Sequence, residues 1–171
     1  DEGEVMIQRG TYLVSEEEAR IRQAMEKVSG GFWTGPRQAK RVAGGGEERE
    51  DMVLSYYCGI NNYEQIGKIE AAMIVNVDEE ELSRRYSSFV TPQSLVTCLV
   101  DGEGTVLSST DKTKMGSVLP VFNTIFEAWE QQGNGYVTAG YERERVVAFY
   151  VRSSVNDWYF INLVPRSAFL S

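Results

Sequence analysis

Histidine is absent from this 171-residue chain. That absence removes every Ser-His and Cys-His nucleophile pair and every His-ligated metal site. Cysteine is scarce: Cys58 and Cys98 stand forty positions apart, so no C-x-x-C knuckle or redox motif forms. Both lie in apolar runs, where a buried free thiol is the plainer reading and a disulfide the alternative. Two cysteines do not fix a compartment. Positive charge is also in short supply. Seventeen Lys and Arg face 25 Asp and Glu, for a net charge of −8. This argues against a nucleic-acid surface and against electrostatic docking on anionic lipid. No apolar run reaches the roughly 18 residues of a membrane span. No signal peptide or initiator Met opens the chain; it starts Asp1-Glu2-Gly3-Glu4 and reads as an excised piece of a longer protein.

What is present is core material. Apolar residues make up 42% of the chain, with nine tyrosines, seven phenylalanines and three tryptophans. That suffices for one domain, or for two small ones sharing a core. Val5 to Val14 reads as a strand or strand pair. Ser15 to Glu18 matches the S-x-x-E capping box, and Ile21, Ala24, Met25 and Val28 follow at helical spacing. Gly30-Gly31 stops that helix. Phe32 to Pro36 reads as an aromatic loop, and Gly44 to Asp51 as an exposed charged loop. Met52–Cys58 and Lys68–Val77 read as strands, the second apolar enough to sit centrally in a sheet. Asp78 to Glu81 makes an acidic first turn for a helix that buries Leu82, Tyr86 and Phe89. Thr91-Pro92 ends it and marks the boundary between two halves.

The second half is clearer. Leu95–Val100 and Thr105–Ser109 are strands around the turn Asp101-Gly102-Glu103-Gly104. Pro120 opens a helix with Phe122, Ile125, Phe126 and Trp129 on one face, and Gly133 closes it. Strands over 135–141, 145–152 and 158–164 follow, then a short exit helix from Arg166. Strand, strand, helix and three strands describe an α+β layout built on an antiparallel sheet.

Chemical motifs fail on inspection. Gly133-Asn134-Gly135 lacks the third glycine of a dinucleotide loop, and Gly67-Lys68 is followed by Ile69 where a P-loop needs Ser or Thr. Asp101 is a turn former; a calcium loop needs Gly where Val106 stands. The acidic pairs sit at helix starts or in the 47–51 run, where solvation explains them.

The run Leu99 to Ser109, with its Asp-Gly-Glu-Gly turn and the later Lys114-Met115-Gly116, resembles the opening of a Cache module. Cache modules are extracytoplasmic relatives of PAS domains. The ending Trp158-Tyr159-Phe160 through Pro165 resembles the closing strand of the membrane-proximal unit in double-Cache receptors. Gly31-Phe32-Trp33, the paired strands after it and Lys68 to Leu82 resemble the membrane-distal unit. The resemblance spans nearly the whole chain and is closest to the sensor region of a bacterial double-Cache histidine kinase. It implies two PAS-like units, each an antiparallel sheet flanked by helices: a distal unit over 1–90, lacking its N-terminal helix, and a proximal unit over 91–171.

By that resemblance the fragment is a non-catalytic, extracytoplasmic sensor whose parent is a membrane-anchored kinase, homodimeric at full length. Its partner is a small-molecule ligand, and no cofactor, metal or nucleic acid is implied. Trp33, Arg37, Tyr56, Tyr57 and Tyr63 are the candidate ligand-binding residues. Each has a plainer reading: Trp33 as a plug at the core edge, the tyrosines as cross-strand packing, and Arg37 with Lys40 and Arg41 as a solvated basic face. Some Cache receptors hold amino acids with an Arg two residues before a Trp, a Tyr after it and a later Asp. Here Gly31 and Thr34 stand at the Arg and Tyr positions, and no Asp occupies its place around Ser55 to Cys58. A carboxylate bound in that mode lacks its bidentate partner. In the second unit, Tyr136, Tyr150, Arg152 and Trp158 are read as packing rather than a second cavity. The nearest alternatives are the same module on a chemotaxis receptor or a cyclic-dinucleotide enzyme. More distant are a structural or dimerisation module without a ligand, and a small hydrolase or lyase working through two carboxylates.

Overall fold

The fold is that of a computed structural model, which describes residues 11–12, 18–26, 30–42, 46–61, 64, 69–88 and 90–170. The chain forms two compact units, residues 1–79 and 80–171.

In the first unit, β1 (Thr11–Tyr12), β2 (Gly31–Val42), β3 (Glu48–Asn61) and β4 (Ile69–Asp78) make an antiparallel sheet in sequential order. Helix α1 (Glu18–Glu26) packs against β3 and β4 and buries Ala24. Gly30 precedes β2 at φ 71°, a conformation that Gly adopts without steric cost.

Three expectations are corrected here. Phe32 to Pro36 is strand, not loop: Trp33 pairs with Tyr56 and Thr34 with Ser55, and pairing resumes at Arg37 with Val53. The bulge falls on Gly35-Pro36, because Pro has no N–H to give to the ladder. The charged run from Glu48 to Asp51 is also strand, with Lys40 facing Glu50 and Ala39 facing Asp51 across the hairpin. And β4 lies at the sheet edge, with Met73 and Val75 exposed, rather than in the middle. The cap of α1 and Phe89 fall outside the described residues.

The second unit begins within α2 (Glu79–Ser87), which ends before the Thr91-Pro92 stop. Strands β5 (Val96–Val100), β6 (Val106–Ser109), β7 (Gly135–Tyr141), β8 (Glu144–Arg152) and β9 (Tyr159–Pro165) form an antiparallel sheet in the order β6-β5-β9-β8-β7. The first and last strands, β5 and β9, are thus neighbours at its centre. Asp101 shapes the β5–β6 turn: its Oδ1 accepts from the Glu103 and Thr105 amides at 3.0 and 2.9 Å. Gly104 closes the turn at φ 85° with Phe122 packed where a Cβ would stand.

Helix α3 (Phe122–Gln132) lays Phe122 and Ile125 into the core with Val100, Val146, Tyr159 and Ile161, while Phe126 stays half exposed. Fully burying one such aliphatic or aromatic side chain stabilises by about 1.5–3 kcal/mol. Tyr86 of α2 is buried against Phe160, with its hydroxyl 2.8 Å from Ser108 Oγ. The exit segment is a short 3-10 helix, Arg166–Phe169. The architecture is α+β, antiparallel sheets flanked by a few helices.

Candidate functional site

Side chains alternate between the two faces of a strand. In β3 this puts Tyr56 on one face and Ser55 and Tyr57 on the other. Trp33 pairs directly with Tyr56, and their rings are 5.2 Å apart. Phe32 pairs with Tyr57 and stacks on it at 5.3 Å. The Gly35-Pro36 bulge then changes the parity of β2, so Arg37 joins the Tyr57 face rather than the Trp33 face. Four predicted residues therefore divide into two pairs on opposite faces of one sheet. Tyr63 lies outside the described residues.

The Trp33 face is apolar and open. Trp33 is 36% exposed, and Met73 and Val75, which share its face across β3, are 46% and 42% exposed. Tyr56 closes over Gly31: a Cβ there would overlap the Tyr56 ring end and hydroxyl and the Tyr57 carbonyl oxygen. The position where amino-acid-binding Cache receptors carry Arg is thus filled by the Tyr56 ring.

The opposite face holds a polar cluster that the sequence reading missed. Ser55 is fully buried. Arg37 donates to Ser55 Oγ from Nε at 3.2 Å and from Nη2 at 2.9 Å, and Ser55 Oγ donates to Asn76 Oδ1 at 2.6 Å. Arg37 Nη2 also reaches Asn76 Oδ1 at 3.5 Å. The signal was legible in one respect: Ser55 and Asn76 are lone polar residues inside apolar strand runs, and they pair in register. A polar side chain in a strand interior needs a partner across the sheet.

In the second unit the four residues read as packing do not converge. Arg152 lies over the Trp129 ring at 4.4 Å and near Tyr159 at 5.8 Å. Tyr150 accepts from Gln132 Nε2 at 2.9 Å, and Tyr136 is mostly exposed. Both cysteines are free thiols; burial pushes Cys98 up to about 12, which keeps it protonated and unreactive at neutral pH. Among the described residues, no three His, Cys, Asp or Glu side chains are grouped to hold a metal ion, and no helix is long and apolar enough to cross a membrane.

No protein-family model matches the chain, and no curated protein sequence matches it. Solved structures do. The periplasmic sensory domain of the Campylobacter jejuni chemoreceptor Tlp1 superposes with a TM-score of 0.67 at 11% identity, covering 92% of this chain and 59% of that one. The extracellular domain designated as that of histidine kinase rpHK1S-Z16 gives 0.65 at 16% identity, covering 93% and 64%. The ligand-binding domain of the Pseudomonas fluorescens chemoreceptor CtaA, solved with L-serine, gives 0.54 at 14% identity, covering 86% and 60%. The likeness is one of fold: that of extracytoplasmic Cache-like sensor domains. The chain spans about six tenths of the length of these solved domains.

Proposed function

We propose that this chain is the extracytoplasmic ligand-sensing region of a bacterial membrane receptor. Residues 1–79 form its membrane-distal unit and 80–171 its membrane-proximal unit. The observation that carries this reading is the shared fold, antiparallel sheets flanked by a few helices, which matches solved sensor domains of a kinase and of chemoreceptors. The fragment senses and does not catalyse; the parent supplies the output across the membrane and works as a homodimer.

The ligand lies on the face carrying Trp33 and Tyr56. That face is the accessible one, and its aromatic pair suits a ligand with an apolar or planar part. Arg37 and Tyr57 act from the other side of the sheet. The Arg37–Ser55–Asn76 bonds tie β2, β3 and β4 together, so a displacement of one strand is felt by all three. A ligand switches the receptor only by its differential affinity for two such arrangements.

For the output we favour a histidine kinase. A chemotaxis receptor is the second reading, since the matched folds include both kinds of receptor. Ligand-dependent autophosphorylation of the full-length parent in membranes separates the two: kinase activity in the same polypeptide supports the first, and its absence the second. The sensing role itself is tested by thermal stabilisation in the presence of small metabolites. A hit is expected, and it disappears in Trp33→Ala.

A further inference from the structure

Three neighbouring strands build the Trp33 face. β2 contributes Trp33, β3 contributes Tyr56, Cys58 and Ile60, and β4 contributes Met73 and Val75. The pairing is in register: Tyr56 lies between Trp33 and Val75, and Cys58 faces Met73. None of these six side chains is charged, in a chain where 25% of residues are. Trp33, Ile60, Met73 and Val75 are all exposed. The face is covered at one end, where Leu54 is fully buried and pairs with Val77. Past that end, Lys40 and Glu50 face each other across the hairpin. Glu50 is six residues along β3 from Tyr56, roughly 20 Å away.

The size of the open stretch selects a small molecule. It runs four residue steps along β3, from Tyr56 to Ile60, and crosses three strands. That is roughly 14 by 10 Å. A stable protein–protein interface buries about 800 Å² on each partner, several times this area. A ring system of two fused rings covers it.

The chemistry selects an uncharged one. A charged ligand set against this face gives up water and meets no opposite charge, which is costly. The face has two polar groups. The Cys58 thiol is turned to the Gly59 carbonyl oxygen, 3.5 Å from Sγ. The other is the Tyr56 hydroxyl, a neutral phenol at the place beside Gly31.

We propose that the ligand of this face is an uncharged, planar compound of about two fused rings. It stacks on Trp33, lies over Met73 and Val75, and sets one N–H against the Tyr56 hydroxyl oxygen. This names the ligand class for the face and rests on the reading that the ligand lies there.

The probe is indole, titrated calorimetrically into the whole chain, with indole-3-carboxylate as its charged counterpart. Indole is expected to saturate one site, and the carboxylate to bind roughly tenfold more weakly or worse. Trp33→Ala weakens indole roughly tenfold or more. Tyr56→Phe weakens indole about two- to tenfold, the size of one neutral hydrogen bond, and leaves 1-methylindole unchanged. Met73→Lys reverses the preference, with indole weakened and the carboxylate strengthened. Met73 is exposed at a sheet edge, so this variant folds, and circular dichroism checks it. The ligand class and the site fail separately. Indole-3-carboxylate binding as tightly as indole, with both lost in Trp33→Ala, overturns the uncharged class and keeps the site. Indole affinity unchanged in Trp33→Ala overturns the site, and the proposal with it. No saturable binding up to roughly 10 mM indole overturns the ring class; the face is then judged by the loss of any metabolite-induced thermal shift in Trp33→Ala. A dimer in sedimentation velocity that Met73→Lys disperses overturns the proposal in favour of a second copy on this face.

Discussion

Adding the missing arginine at position 31 does not create an amino-acid site in this chain; it disrupts the first sheet. Gly31 pairs with Cys58, and a Cβ there meets the Tyr56 ring end and the Tyr57 carbonyl oxygen. The Tyr56 ring can swing away, at the loss of its contact with Trp33, an aromatic pair worth about 0.5–1.5 kcal/mol. The Tyr57 carbonyl cannot, because β3 is paired on both sides. Overpacking of this kind costs about 1–3 kcal/mol. Together these put Gly31→Ala at about 1.5–4.5 kcal/mol and Gly31→Arg no lower. Amide hydrogen exchange reads the effect locally. Amides of β2 and β3 that open with the whole sheet should exchange tens to hundreds of times faster, with the second unit unchanged. Replacing Tyr56 by Ala in the Gly31→Ala background should recover only part of the loss, because the carbonyl contact remains. Gly31→Arg with wild-type protection and measurable L-serine binding would show that position 31 has room for a side chain.

Two further outcomes follow from buried groups. Ser55→Ala removes the acceptor of two Arg37 bonds and the donor to Asn76. It should cost about 1.5–3 kcal/mol, the range for hydrogen bonds to a charged group. Adding Asn76→Ala should then cost less than Asn76→Ala alone; strict additivity in urea unfolding contradicts a coupled cluster. Cys98 is pushed from 9.0 up to about 12 by burial. Between those values the unfolded chain has lost the proton that the native state keeps. This contribution is therefore complete below pH 9 and falls by about 1.4 kcal/mol per pH unit above it. Cys98→Ala should flatten that part of the stability–pH curve, and an unchanged slope contradicts the assignment.

The second unit was legible because local rules and tertiary structure agree there. Strands β7 to β9 alternate cleanly between turn residues, and Gly104 and Gly133 stand where positive φ is required. The first unit was less legible because pairing partners, not local composition, decide it. Phe32 to Pro36 looks like a loop until β3 is laid beside it, and Glu48 to Asp51 looks solvated until β2 is. Apolar residues on both sides of β4 suggested a central strand, whereas Met73 and Val75 are exposed at an edge. The candidate site suffered most. Trp33 and Arg37 are four apart, which in an unbroken strand sets them on one face; a single bulge separates them. Ser55 was hidden because a lone serine in an apolar run carries meaning only once Asn76 and Arg37 are seen beside it.

A sensing role requires that the first unit bind a ligand. The measurement is a thermal-shift titration of the chain against amino acids, organic acids, sugars, nucleobases and amines, repeated on Trp33→Ala and Arg37→Ala. A ligand at 100 times its Kd adds about 2.7 kcal/mol of stability, a readily visible shift. The expected result is a ligand whose shift vanishes in Trp33→Ala, with a smaller weakening in Arg37→Ala, which acts from the opposite face. A ligand whose shift survives Trp33→Ala and is lost in Arg37→Ala would contradict it, and would place the sensing surface on the other side of the sheet.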